Sequence, residues 1–231
     1  ASIILNEVTG LSRSNLLGHI EIAGRSAEFV LANVNGISCD GCGFINTPRV
    51  TLVTGRPDIA NGALNGFTVS GGDFSLDGRG LNATNIDRFD ILTRAAKINA
   101  ELYAKQLNIV TGNNYIEYAS GAASANGTGV APAFQFALDA SSVGAMYANS
   151  IRLIGTEQGM GVNSQGLIQS VTDLELSADG NISVKHAQAN NNLAMVSQSG
   201  DITTTGNIYA SNLTLAAKNS IDNQGLLAAS E

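Results

Sequence analysis

Apolar positions along this chain return at short, regular intervals. Leu102-Tyr103-Ala104-Lys105-Gln106-Leu107-Asn108-Ile109 recurs as Met146-Tyr147-Ala148-Asn149-Ser150-Ile151-Arg152-Leu153, and again as Ile208-Tyr209-Ala210-Ser211-Asn212-Leu213-Thr214-Leu215. The shared form is apolar-Tyr-Ala-x-x-apolar-x-apolar. Toward the C-terminus Leu174-Glu175-Leu176, Leu193-Ala194-Met195 and Leu213-Thr214-Leu215 follow at intervals of 19 and 20 residues. Ile182, Ile202 and Ile221 follow at 20 and 19, each preceded by a turn pair such as Gly180-Asn181 or Gly200-Asp201. A period of about 20 residues with two or three short strands per repeat describes a solenoid. The Leu-x-x-Leu-x-Leu-x-x-Asn consensus of leucine-rich repeats is missing. The pattern therefore predicts an all-β fold, a right-handed parallel β-helix with one repeat per coil and extra-helical strands or hairpins. Coils stack at about 4.8 Å, so roughly ten of them make a rod of about 45–50 Å. Inward positions form apolar ladders, outward positions carry Thr, Ser, Asn and Lys, and the corners take residues that tolerate left-handed backbone.

The N-terminal half is less regular. Ser2–Leu5 and Leu16–Glu28 read as strands, with a half-buried alternation over Leu17–Ala23. Ala27–Ala32 and Arg49–Thr54 are alternating runs that flank the densest stretch, Asn33-Val34-Asn35-Gly36-Ile37-Ser38-Cys39-Asp40-Gly41-Cys42-Gly43-Phe44-Ile45-Asn46-Thr47-Pro48. Strand, dense turn, strand is its plain reading. Glycines 36, 41 and 43 and asparagines 33, 35 and 46 supply candidates for positive φ. Leu64–Val69 and Phe74–Leu76 read as a strand pair around Ser70–Asp73. Asn113–Ala140 breaks the period and is expected outside the helix, with a short hairpin over Ala133–Leu138. The sequence opens in mid-strand and stops in mid-pattern, so the natural chain is expected to extend beyond it.

Composition agrees with this picture. Charged residues are only 13% of 231, about half the usual globular share, and glycines number 26. Helix surfaces are normally covered by Glu, Lys and Arg, so such a chain favours strands and turns. The net charge of −7 and the absence of a basic cluster exclude a nucleic-acid backbone as partner. Tyr118–Leu138 is uncharged but too polar to span a membrane.

Candidate chemistry is sparse. Cys39-Asp40-Gly41-Cys42 lies between strands, not at the start of a helix as a thioredoxin-like site requires. A zinc site needs four ligands, and only His19 and His186 could add to the pair. If the protein is exported, a local disulfide is the favoured reading and free thiols the alternative. Gly159–Gly166 resembles a phosphate loop but lacks its Lys and is followed by a strand, which makes it a coil turn. Asp87 and Asp90 beside Arg88 and Arg94 are the one imaginable acid–base cluster, and a solvated face is the plainer account. Tyr103, Tyr147 and Tyr209 share a repeat position and read as stacking residues. Asn82-Ala83-Thr84 is a chance sequon. No metal or cofactor is expected, and no catalytic residue.

Asn6-Glu7-Val8-Thr9-Gly10 and then Ala27 through Arg49 resemble the secretion domain of two-partner-secretion (TPS) exoproteins. These are the filamentous-haemagglutinin-type adhesins, haemolysins and contact-dependent growth inhibition proteins (CdiA) of Gram-negative bacteria. The family's Asn-Pro-Asn-Gly-Ile motif maps onto Asn33-Val34-Asn35-Gly36-Ile37, with Val34 in place of Pro. Its Cys-x-Gly-Cys-Gly-Phe-Ile-Asn-Thr stretch is matched in full from Cys39 to Thr47. The resemblance implies a right-handed β-helix and passage through the periplasm by the general secretory route. It also implies recognition by an outer-membrane β-barrel transporter with POTRA modules (TpsB or CdiB type), and a secreted or cell-surface address. Asn33, Asn35, Gly36 and Ile37 become candidates for transporter recognition or turn formation, and Cys39 and Cys42 for a disulfide staple. A cap and an Asn-Pro-Asn-Leu motif are expected upstream of Ala1.

The chain is thus expected to be a non-enzymatic export and fold-nucleating domain of a large adhesin or toxin carrier. Residues 1–115 form part of the secretion domain, 116–140 an extra-helical loop or hairpin, and 141–231 continuing haemagglutinin-type coils. A target-cell receptor is expected to meet distal regions. Two rivals remain at this stage. A β-helix carbohydrate enzyme would use Asp87–Arg94. A receptor-binding module would use the 113–140 excursion, with Asn126, Phe134 and Phe136 as contacts.

Overall fold

The computed structural model describes residues 2–126 and 134–230, and within them every regular element is a strand. The chain winds as a right-handed parallel β-helix of about ten turns with ~22 residues per coil. Each coil contributes a first, a second and a third face in that order. On the first face Ile4, Phe29, Val50, Phe89, Leu107, Ile151, Leu174, Leu193 and Leu213 stand in register above one another. Two positions further on, Leu31, Leu52, Ile91, Ile109, Leu153, Leu176, Met195 and Leu215 form a second inward column. The second face repeats the device with Ile37, Phe74, Ala96, Leu138, Val162, Ile182, Ile202 and Ile221. The third does so with Cys42, Leu81, Leu102, Met146, Ile168, Ala187, Ile208 and Leu227. These columns close into one continuous core.

Corners are held by amide and carboxylate ladders. Asn192 Nδ2 donates to Asp173 Oδ1 at 2.7 Å, and Asn212 Nδ2 to Asn192 Oδ1 at 3.1 Å. Each corner side chain thereby satisfies a polar group of the neighbouring coil instead of leaving it unpaired at the bend.

A second sheet lies outside the helix. Its antiparallel strands run in the order Ala123–Ala125, Asn114–Glu117, Ala63–Val69, Arg56–Ala60. Phe67, Val69 and Ile116, all fully buried, pack on the outward side chains Val30, Ala32, Val53, Leu92 and Val110 of the first face. Those coils carry apolar residues on both sides of the strand, as sheets covered on both faces do.

Four expectations from the sequence are corrected. Residues 33–48 are not one dense turn, because Ile37–Ile45 is a strand that bends at Gly41 and carries the second and third faces. Within Leu16–Glu28 only His19–Glu21 and the strand starting at Glu28 are regular apart from Leu16 itself, which ends the strand Ser14–Leu16. Ala63–Val69 does not pair with Phe74–Leu76: the former belongs to the outer sheet, and the latter to the long strand Asp73–Thr93 of the helix. The hairpin over 133–138 is absent where described: Phe136–Ala140 runs parallel between Ala96–Ile98 and the strand that starts at Gly161. Residues 127–133 of the expected 113–140 excursion lie outside the described residues. The apolar character of Leu138 and Ala140 suits inward positions, which explains the misreading.

Phe67→Ala is expected to cost about 3–5 kcal/mol of unfolding free energy, because it empties the contact between the two sheets. Val143→Ala, at 65% exposure, should stay within about 0.5 kcal/mol. Chemical denaturation of both variants checks this, and similar losses would contradict the packing described.

Candidate functional site

The motif residues Asn33–Ile37 form a tight turn between the first and second faces of the second coil. The Gly36 amide donates to the Asn33 carbonyl at 3.1 Å. Asn33 Oδ1 accepts from the Asn35 amide at 2.9 Å and from Asn35 Nδ2 at 3.0 Å. Asn33 Nδ2 reaches the preceding coil, donating to Ser12 O at 3.0 Å and Ser14 Oγ at 2.8 Å. Asn35 Nδ2 donates to Gly10 O at 2.8 Å. The two asparagines therefore act through their side chains. Neither has positive φ, whereas Gly36 (106°), Gly41 (69°) and Asn46 (61°) do. Gly43 serves differently: a Cβ there would meet the His19 ring at 2.6 Å.

Burial separates the four motif residues. Asn33 is 1% exposed, Ile37 is fully buried as an inward ladder residue, Gly36 is buried, and Asn35 is half-buried. In the folded domain only Asn35 offers a side chain to a partner. Arg13, which the sequence reading did not single out, lies over the turn, and its contacts are taken up below.

Cys39 and Cys42 are joined, with Cα atoms 5.5 Å apart. Both side chains point inward, Cys39 in register with Leu16 and Leu76 and Cys42 with Leu81. The bond spans the bend at Gly41 from inside the core, where a substrate thiol cannot reach it. Its loop is short, so its effect on the open chain is local.

The Asp87–Arg94 segment is not a solvated face. Asp90 is fully buried and accepts from Arg49 Nε at 2.8 Å, Arg88 Nε at 2.9 Å and Asn108 Nδ2 at 3.0 Å. Arg49 also lies 4.0 Å over the Tyr118 ring and donates to Tyr118 O at 2.6 Å. The Tyr118 hydroxyl donates to Glu28. Tyr118 follows an outer-sheet strand, so that sheet roofs the carboxylate, and two guanidiniums compensate its burial. Arg94 is buried against Glu157 through bonds of 3.0 and 2.6 Å, and Glu157 raises its pKa. Asp87 stays exposed, paired with Lys105 at 2.8 Å. Thr51 Oγ1 donates to the Asp90 carboxylate at 3.4 Å, so four donors meet its four acceptor sites and Asp90 is held as a structural anion.

Tyr103 and Tyr147 stack at 5.0 Å and 13°. Tyr209 shares their outward column, separated from Tyr147 by Gln169 and Gln188. Phe134 packs on Ala95, Ala137 and Met160, and Phe136 begins a coil strand. Asn126 is exposed, its amide donating to Asn113 O at 2.9 Å. Among the described residues no group of three His, Cys, Asp or Glu is placed to hold a metal, and no helix is long and apolar enough to cross a membrane.

The family described as the TPS secretion domain matches residues 1–184. The chain belongs to that family. The 16S rRNA endonuclease CdiA of Enterobacter cloacae subsp. cloacae is 41% identical over 216 residues, 91% of this chain. Toxin CdiA of Yersinia pestis is 44% identical over 181 residues, 78% of it. This chain spans only 6% of the length of each. A crystal structure of a filamentous haemagglutinin secretion domain matches with a TM-score of 0.76 at 28% identity, covering 98% of this chain and 76% of that one. In this TPS domain, then, the Asn33–Ile37 turn and the buried cysteine bridge belong to a secretion module.

Burial, and then the bond to Glu28, hold the Tyr118 hydroxyl well above the usual tyrosine range. A raised folded-state pKa contributes stability that is full below the unfolded value of about 10 and is lost as pH climbs through the folded value. An ultraviolet titration should find one tyrosine still protonated after the others ionise, and Tyr118→Phe should remove it. Equal late-titrating signals in both proteins would contradict the buried bond.

Proposed function

We propose that this domain is the export signal and folding seed of a large exported toxin or adhesin. The match to the TPS secretion domain over residues 1–184 carries the reading. The partner is an outer-membrane β-barrel transporter with POTRA modules that receives the chain from the periplasm and delivers it to the cell surface. Export signalling is assigned to residues 1–115, and 141–231 extend the stack. The domain itself is non-enzymatic. The nuclease activities in the relatives' names belong to regions beyond the segment shared with this chain, and receptor contact to distal regions as well.

Two features support a role for the Asn33–Ile37 turn. It is built from asparagine side chains as well as from the left-handed backbone of Gly36, and its polar side chains are consumed as neighbouring coils stack. A chain still extended presents Asn33 and Asn35 freely, and a folded one hides Asn33. Recognition and folding therefore compete for the same amides. A coil is stabilised only against a formed neighbour, so a chain delivered from its N-terminal end folds in that direction.

The test is a secretion assay with the chain behind a general secretory leader and its cognate transporter. Asn35→Ala should cut export severalfold while the purified variant still folds. Wild-type export that ignores the transporter would overturn the functional reading. Normal export of the folded variant would remove the turn from it.

A further inference from the structure

Arg13 precedes the second-face strand of the first coil, Ser14–Leu16, and none of the comparisons gives it a role. Its guanidinium contacts two later coils at once. Nε donates to Ser38 Oγ at 2.6 Å and Nη2 to Ile37 O at 2.9 Å, both on the second coil. Nη1 donates to Asp73 Oδ1 at 2.8 Å, and Nη2 to Asp73 Oδ2 at 3.0 Å, Asp73 O at 3.2 Å and Ser75 Oγ at 3.2 Å, all on the third. The pairs Ser14 with Ile37 and Ile37 with Phe74 fix these residues on three successive levels. The fork geometry of arginine is what lets one side chain hold a carboxylate and a strand carbonyl together.

The same guanidinium explains the motif glycine. A Cβ on Gly36 would lie 2.5 Å from Arg13 Nη1 and 3.0 Å from the Asp73 carbonyl oxygen, quite apart from the φ of 106°. The third coil closes in from the other side, where a Cβ on Gly72 would meet Val34 O at 2.7 Å. The turn is thus enclosed between Arg13 before it and residues 72–75 after it. Asp73 lies 60 residues beyond Arg13 and follows the looped-out strands Arg56–Ala60 and Ala63–Val69. Until it arrives, Arg13 holds only Ser38 and Ile37.

We infer that Arg13 is the positioning residue of the Asn33–Ile37 turn and that, through Asp73, it seals the turn only when the third coil stacks. The first three coils then close as one unit. The consequence for export rests on the proposed function, whereas the seal itself does not.

Native-state hydrogen exchange on the whole chain tests it, with wild type beside Arg13→Ala, Arg13→Lys, Asp73→Asn and the double variant Arg13→Ala/Asp73→Asn. Charged hydrogen bonds of this kind are strong enough that losing them should speed exchange at the Ser14, Asn35 and Gly36 amides on the order of tenfold or more. Amides between 174 and 215 should not change. Arg13→Lys, which keeps the charge and loses the fork, should fall between wild type and Arg13→Ala. The double variant should exchange no faster than the faster single variant, because both remove one contact. Gly36→Ala should destabilise the Arg13→Ala background less than it does the wild type. Unchanged turn amides in Arg13→Ala, or additive effects of the two single variants, would overturn the inference. If Arg13→Ala does not fold, the Arg13→Lys and Asp73→Asn comparisons decide on the same criteria. Transporter-independent export of wild type would overturn the functional reading and leave the exchange result intact.

Discussion

A single β-coil cannot bury its own apolar face, and every other feature of this domain follows from that. Phe29 is covered by Val50, Val50 by Phe89 and Phe89 by Leu107, so each rung is sealed only by the next. Fully burying one such side chain contributes about 1.5–3 kcal/mol, and a rung supplies several. Stability therefore accumulates with the stack and is not held in any one coil. A chain kept extended gains none of it.

The N-terminal coils carry more than the repeat demands. First-face outward positions that carry Arg152, Glu175, Ser177 and Thr214 in later coils lie in the columns of Val30, Val53, Leu92 and Val110 of the early coils, and the outer sheet covers these. The cover is tied down by charge. Asp90 is buried with Arg49 and Arg88, and Arg49 also holds the Tyr118 carbonyl and ring. Taking one partner from such a group leaves a buried charge uncompensated, at a cost of roughly 3–5 kcal/mol. The helix and its outer sheet are coupled through that group as well as through Phe67 and Ile116. The motif turn lies on the next corner of the same coils.

The repeat was legible because the ladder positions keep their spacing: Leu174, Leu193 and Leu213 do stack in one column. The second coil was misread because its inward residues are cysteines. Cys39 and Cys42 look like turn chemistry, yet they fill ladder positions as small apolar side chains. The outer sheet left a signal that alternation alone obscures. Val30-Leu31-Ala32, Leu52-Val53 and Ile91-Leu92 are apolar on consecutive positions, and a strand buried on both faces reads that way. Asp90 reads as a surface residue because nothing local in the sequence shows that Tyr118 and Arg49 cover it. Arg13 was invisible for the same reason, since its carboxylate partner lies 60 residues away. The turn itself was located from its Asn and Gly residues, though the asparagines work by side-chain hydrogen bonds where backbone permissiveness was expected.

A domain that folds from its N-terminal coils closes the Asn33–Ile37 turn in doing so. Pulse-labelled hydrogen exchange during refolding addresses it most directly. The Ser14, Asn33 and Gly36 amides should then be protected no later than those of Leu193 and Leu213. Protection of the distal coils while the turn remains open would contradict it.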